Sequence, residues 1–314
     1  MKHSRVYLTG HTGMVGSAVY EALIETNYTD VVTTELSLDL RNQEKVVAYV
    51  HDSKPHTIVV AAARVGGIMA NTLYPYDFIY DNLMIELNLI NAAILNGVKK
   101  LVFLGSSCIY PKLAPQPLKE EYLLTGSLEP TNEWYAMAKI SGIKLCQSAN
   151  KQFGSNFVTL MPTNLYGARD NFDLDSSHVL PAMIRKFHEA LPDKDVVLWG
   201  TGSPFREFMH VSDLAKAILF SLENDLHDDL FNVGTGQDIS IINIASIVQR
   251  IVGHKGKIVW DTSKPDGTPR KLLDVSKLHD LGWNHTIELE AGIHSTYEWF
   301  LINKNSLREV KHGS

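Results

Sequence analysis

The chain has 314 residues, with 29 Lys and Arg against 35 Asp and Glu, a formal net charge of −6 and 45% apolar residues. Such a composition sustains a packed core in one large domain or two smaller ones, and its acidic balance excludes a nucleic-acid binder working through a broad basic surface. Two cysteines, Cys108 and Cys146, are too few for a disulfide framework or a zinc site and fit a reducing, cytoplasmic setting, and no run reaches the roughly 20 apolar residues of a membrane span.

In chain order, residues 5–9 read as a buried strand and 13–25 as a helix with Val15, Val19, Ala22 and Leu23 on one face. A short strand is expected at 30–34, a helix at 43–52, and an apolar strand at 57–62. A long helix follows at 80–96, stopped by Gly97, and then a strand at 100–104. A second long helix at 135–153 leads into a strand at 157–161. Strands alternating with helices imply right-handed crossovers and a parallel, doubly wound α/β sheet of Rossmann type. Beyond Tyr166 the pattern loosens, with polar loops at 168–177, 200–206 and 261–270. We therefore expect a dinucleotide-binding domain over 1–165, with returning segments near 206–234, and a smaller mixed α/β substrate domain over 166–314.

The first strand runs into Gly10-His11-Thr12-Gly13-Met14-Val15-Gly16, a GxxGxxG turn that opens a helix. Glycines there permit a tight turn and close approach to a pyrophosphate, which the helix N-terminus attracts with free N–H groups. Small residues at Ala62 and Ala63 let a cofactor lie against the backbone, and Asp39, beside Leu40, is placed to bond an adenine. Glu35 favours the ribose hydroxyls of NAD, while the neighbouring Thr33 and Thr34 leave room for the 2′-phosphate of NADP.

Tyr135 and Lys139 form YxxxK, one face of a helix at i and i+4. The ammonium is expected to lower the phenol below its usual pKa of about 10, so that it exchanges a proton with a carbonyl oxygen near neutrality. Ser106, just past the 100–104 strand, stands where open α/β sheets bind ligands and completes a Ser–Tyr–Lys set. Cys146 and the histidines His11 and His210 are left without chemistry.

With these residues in place, the chain resembles the GDP-L-fucose synthase family, the GDP-4-keto-6-deoxy-D-mannose epimerase/reductases among the extended short-chain dehydrogenase/reductases. The similarity spans residues 5 to 300. It is most specific at Val65-Gly66-Gly67-Ile68, at Gly105-Ser106-Ser107-Cys108-Ile109-Tyr110-Pro111 and at Pro162-Thr163-Asn164-Leu165-Tyr166-Gly167. Asp170-Asn171-Phe172, Ser177-His178-Val179-Leu180-Pro181 and the 264–271 stretch add to it. The resemblance implies inversion at C3 and C5 of a GDP-linked 4-keto-6-deoxy sugar by Cys108 and His178, then hydride reduction at C4 from NADP(H), with NAD(H) as the second choice. It also implies cofactor contacts from Tyr135, Lys139, Pro162, Asn164, Leu165 and His178. Substrate contacts are implied for Ser107, Cys108, Asn164, Lys186, Trp199, Arg206, Asp266 and Arg270, and the resemblance brings no metal.

Family members in bacteria carry arginines at the positions of Thr12 and near Thr34, and both are missing here. The family's Gly-Pro-His-Asp-Asn-Phe loop reads Gly167-Ala168-Arg169-Asp170-Asn171-Phe172, and Lys186 stands where arginine is frequent. The altered loop keeps a second reading open: reduction of another GDP-linked 4-keto-deoxy sugar, such as a heptose or colitose precursor. A non-catalytic sensor or scaffold on the same fold does not suit a chain that keeps both Tyr135 and Lys139. The resemblance also implies a homodimer joined through the 80–96 and 135–153 helices.

Overall fold

The structure is a computed structural model that describes residues 2–35, 37–174, 176–226, 230–264 and 266–307; Pro265 of the 264–271 stretch lies outside them. Its elements in chain order are β1 (Val6–Thr9), α1 (Met14–Glu25), β2 (Val31–Thr33), α2 (Gln43–Ser53), β3 (Thr57–Val60), α3 (Ile68–Leu73), α4 (Pro75–Leu95) and β4 (Lys100–Leu104). Then come α5 (Glu133–Phe153), β5 (Asn156–Pro162), β6 (Asn164–Tyr166), α6 (Val179–Glu189), β7 (Val196–Trp199), β8 (Phe205–His210), α7 (Val211–Glu223) and β9 (Leu230–Val233). The chain closes with β10 (Asp238–Ser240), α8 (Ile241–Val252), β11 (Ile258–Asp261), β12 (Arg270–Lys271), α9 (Ser276–Asp280) and α10 (Leu289–Asn303).

Six strands pair in parallel in the order β2-β1-β3-β4-β5-β9. Helices cover both faces, because each strand buries side chains on either side. On one face Val46, Val50, Leu89, Ile90, Ile140 and Ile143 from α2, α4 and α5 pack on the sheet. On the other, Val19, Leu23, Leu214, Ala217 and Ile218 from α1 and α7 do so. The strand order reverses between β1 and β3, and that crevice is where an open α/β sheet binds its ligand.

The remaining strands form a smaller layer. β8 pairs with β10, β12 and β6, and β7 pairs with β11. Its own core holds Tyr166, Phe172, Ile184, Phe187, Ile244, Val248 and Phe300. β9 and α7, from this half of the chain, complete the larger sheet and its cover.

The long helix expected at 80–96 begins at Pro75. Proline fits the first helical turn, where its missing N–H would have no partner. Among the described residues α4 is the one helix long and apolar enough to cross a membrane; half of its most apolar window is buried against the protein. It also carries buried Asp81, Asn82, Glu86 and Asn88, groups that need protein partners rather than lipid.

Candidate active site

The glycine turn is built as its pattern demands. Gly10 has φ +68, and a Cβ there would lie 2.8 Å from the backbone nitrogen of Ala62. A Cβ on Gly16 would lie 2.1 Å from the Gly10 carbonyl oxygen, so only glycine lets α1 start this close to β1. Gly13 caps α1 without any side-chain hydrogen bond, and the first turn holds no acidic residue. The N–H groups of Met14, Val15 and Gly16 therefore face the crevice with no side-chain acceptor, a fit for an anionic pyrophosphate. Thr12 is exposed at the turn, and Ala62 and Ala63 are half-buried beyond β3.

Two neighbouring expectations are modified. The Asp39 carboxylate is held by Arg41, at 3.0 Å and 2.9 Å from its Nε and Nη2, and Arg41 reaches on to Asp81 at 2.9 Å. Those hydrogen bonds depress the Asp39 carboxyl below the ordinary carboxylate range, so an adenine at this edge meets a carboxylate already paired; Leu40 beside it is buried. Thr34 shares a hydrogen bond with the Tyr7 hydroxyl at 2.8 Å and is buried, so its own hydroxyl is already engaged.

Ser106 follows β4 in an extended conformation and accepts a 3.4 Å hydrogen bond from the Cys108 N–H, opening a short 3-10 turn over Ser107–Ile109. Ser107 and Cys108 are buried in that turn. Tyr135 and Lys139 occupy the first turns of α5, with the Lys139 ammonium 5.6 Å from the Tyr135 ring centroid. The expected lowering of the phenol is not what the packing produces. Tyr135 is pushed well above its ordinary value, first by burial, then by the Cys108 and Glu86 charges. Glu86 on α4 adds to the effect of burial: its carboxylate lies 2.9 Å from the Lys139 Nζ, with both side chains almost fully buried, and offsets the lysine's field. In this form Tyr135 holds its proton and serves as a donor.

The Cys108 thiol is also pushed up rather than down, by burial first; Lys271, a Ser106 hydrogen bond and Lys139 act against that. His178 stands at the N-cap of α6, makes no capping hydrogen bond with its side chain, and is exposed. Desolvation, then the Lys271 charge, lower its imidazole below the usual value. Both shifts favour the uncharged form, a thiol on Cys108 and a neutral imidazole on His178. Lys271, on β12, shares a cavity with Ser107, Cys108, Gln116, Glu129 and Arg270. Neither Glu86 nor Lys271 was singled out from the sequence. The signal for Glu86 was a carboxylate on the apolar stretch of α4, and for Lys271 a second cation next to Arg270.

The loop bearing His178 is pinned to the cofactor side. The Gly67 N–H donates to the Ser176 carbonyl at 2.9 Å, and a Cβ on Gly67 would lie 2.9 Å from the Ser177 carbonyl oxygen. At the junction of the two layers Pro162 ends β5, Asn164 and Leu165 form β6, and the Asn164 amide donates to the Glu207 carbonyl at 2.7 Å.

The cations expected to grip a diphosphate divide into two groups. Arg206 is half-buried; desolvation lowers it while the Asp266 charge acts against that, and its Nη1 donates to the Phe205 carbonyl at 2.7 Å. Lys186 and Lys264, the latter not singled out from the sequence, lie 5.6 Å and 5.4 Å from the ring centroid of the half-exposed Trp199, so a flat aromatic platform carries two ammonium groups. Arg270, by contrast, is bound by both oxygens of Asp238, at 2.5 Å and 3.2 Å. Asp266 is occupied as well: it accepts from the Thr201 N–H at 2.7 Å and hydroxyl at 2.8 Å, tying the loop before β12 to the turn after β7.

Fold, glycine turn and Ser–Tyr–Lys set together define a nicotinamide-dependent enzyme class. Residues 6–234 match the NAD dependent epimerase/dehydratase family, and the chain belongs to that family. It is 53% identical over 301 residues to a GDP-L-fucose synthase of Sinorhizobium fredii (strain NBRC 101917 / NGR234), covering 95% of this chain and 96% of the relative. Among solved structures, a GDP-6-OMe-4-keto-L-xylo-heptose reductase from C. jejuni is 40% identical with a TM-score of 0.91, covering 96% of this chain and 99% of that one. A GDP-L-fucose synthetase from Naegleria fowleri bound to NADP is 28% identical with a TM-score of 0.89, covering 98% of this chain and 96% of that one.

Proposed function

We propose that the protein converts GDP-4-keto-6-deoxy-D-mannose to GDP-L-fucose, as an NADP(H)-dependent 3,5-epimerase and 4-reductase. The observation that carries this reading is that Cys108 and His178, a thiol and an imidazole, share the electrostatic reach of Lys271. Cys108 in turn lies beside the Ser106–Tyr135–Lys139 set. A plain carbonyl reductase has no use for that pair. Near-full-length identity to a GDP-L-fucose synthase supports it further, as does NADP bound to a relative of the same fold.

The substrate's 4-keto group acidifies the hydrogens at C3 and C5. One member of the Cys108–His178 pair takes each proton and the other returns it from the opposite face. Ser106 and Tyr135 donate hydrogen bonds to the C4 oxygen while enolate charge builds on it. The bound nicotinamide cofactor supplies the hydride for C4. Tyr135, held protonated, gives its proton to the C4 oxygen. Lys186, Lys264 and Arg206 face the diphosphate and Trp199 the nucleotide, with Arg270 and Asp266 fixing the loop around them. The N-terminus of α1 would hold the pyrophosphate of the cofactor.

Association of two copies through α4 and α5 fits the exposed Tyr76, Tyr80, Leu87 and Leu95 on the first helix and Trp134 and Met137 on the second. A cytoplasmic setting fits two buried cysteines that form no disulfide.

Incubation with GDP-4-keto-6-deoxy-D-mannose and NADPH in deuterated water tests the reading. GDP-L-fucose with deuterium at C3 and C5 is expected; an unlabelled product rejects epimerisation. The second reading, a reductase of another GDP-linked 4-keto sugar, is favoured by the Gly167–Phe172 loop, where Arg169 takes a left-handed conformation at φ 63. Faster turnover of a 4-keto-heptose than of the mannose derivative would select it.

A further inference from the structure

Beneath the tyrosine helix Lys139 is paired with Glu86, a buried carboxylate that the mechanism above leaves unused. Lys139 and Glu86 lie 2.9 Å apart, at 2% and 1% side-chain exposure. The ammonium also sits 4.8 Å from the Phe103 ring centroid and 5.6 Å from that of Tyr135. Among the described residues no neutral donor bonds either oxygen of Glu86. The pair exists because α4 and α5 approach closely. Gly142 on α5 makes room for it, since a Cβ there would lie 2.9 Å from Glu86 Oε2 and 2.5 Å from the Phe103 ring.

We propose that Glu86 is a positioning residue whose carboxylate keeps Lys139 protonated and aimed at the cofactor. The inference rests on the reading of Lys139 as a cofactor-binding residue. A buried ammonium with no counter-ion sheds its proton near neutrality, because burial penalises the charged form by several pKa units. Rings alone do not offset that loss. Burial pushes the Glu86 carboxyl up while Lys139 draws it down, as expected of two charges that depend on each other. A neutral Lys139 would offer the ribose hydroxyls and phosphates of a dinucleotide a weaker, uncharged donor.

The test is NADPH affinity against pH, measured by fluorescence titration without sugar substrate, on the wild-type protein and on Glu86→Gln. Wild-type affinity is expected to vary little between pH 6 and 9. The glutamine variant matches at pH 6 and loses affinity about tenfold by pH 9, as an uncompensated Lys139 gives up its proton. A merely structural role for Glu86 would lower affinity evenly at all pH values, and a profile parallel to wild type overturns the inference. If the glutamine variant does not fold, Glu86→Asp replaces it. That change draws the charge back by one methylene and is expected to lose roughly threefold over the same range; a flat profile there has the same overturning force. Failure of the wild-type protein to bind NADPH at all would instead reject the cofactor reading.

Discussion

Glu207 sits fully buried at the junction of the two layers, and its removal is expected to be the most damaging single truncation near the site. One carboxylate oxygen accepts from the N–H groups of Thr235 and Gly236 at 2.6 Å and 2.8 Å, the other from the Leu273 N–H at 2.9 Å. These bonds tie β8 to the turn after β9 and to the segment after β12, which carries Lys271. Glu207→Ala leaves three buried N–H groups without an acceptor, each at roughly 1–3 kcal/mol. Allowing for water entering the space, we expect a loss of about 3–6 kcal/mol, a large share of the typical stability of a folded domain. Glu207→Gln keeps one oxygen acceptor and turns an amide nitrogen toward the single Leu273 N–H, so its loss is expected nearer 1–3 kcal/mol. Urea unfolding followed by circular dichroism reads both values from the midpoint at constant slope. In the glutamine variant, half-saturation by the sugar nucleotide should rise, because the tie holds the segment that follows Arg270 and Lys271. An alanine variant within about 1 kcal/mol of wild type would refute the argument, since that is the net value of one ordinary hydrogen bond.

Three further outcomes are expected. Tyr135→Phe removes the proton donor for C4, so turnover to the reduced product falls by roughly 10²–10⁴, while solvent deuterium still enters C3 and C5 of the keto sugar; nuclear magnetic resonance of the recovered sugar separates the two. Lys271→Met removes a cation that lowers both the Cys108 thiol and the His178 imidazole, so both limbs of the pH profile for deuterium wash-in should move to higher pH. Limbs moving apart would contradict a shared cation. Asp170 has a buried oxygen without a partner and a carboxyl raised to about 7, chiefly by burial. A raised carboxyl contributes stability at low pH that is lost as pH climbs from about 4 through 7. Asp170→Asn should therefore gain up to about 4 kcal/mol at pH 8, the worth of a rise of about three pKa units, and almost nothing at pH 4, read as a melting-temperature difference between the two conditions.

Local sequence decided the parts of this protein whose physics is local. GxxGxxG after a strand requires Gly10 and Gly16 because the clashes involve residues within a few positions or across one strand pair. Tyr135 and Lys139 share a helix face because four residues make about one turn. Tertiary packing decided the charges. Glu86 meets Lys139 only once α4 lies along α5. Lys271 reaches toward Cys108 and His178 only once β12 pairs with β8, in the register Lys271 to Arg206. Arg270 and Asp266 look free in the sequence and are bound to Asp238 and Thr201 in the fold. A pKa depends on burial and on which charges lie within a few ångströms, and neither quantity exists until distant segments touch. Hence the identities of the reacting groups were readable in order along the chain, whereas the protons on Tyr135, Cys108 and His178 were fixed by residues far from them in sequence.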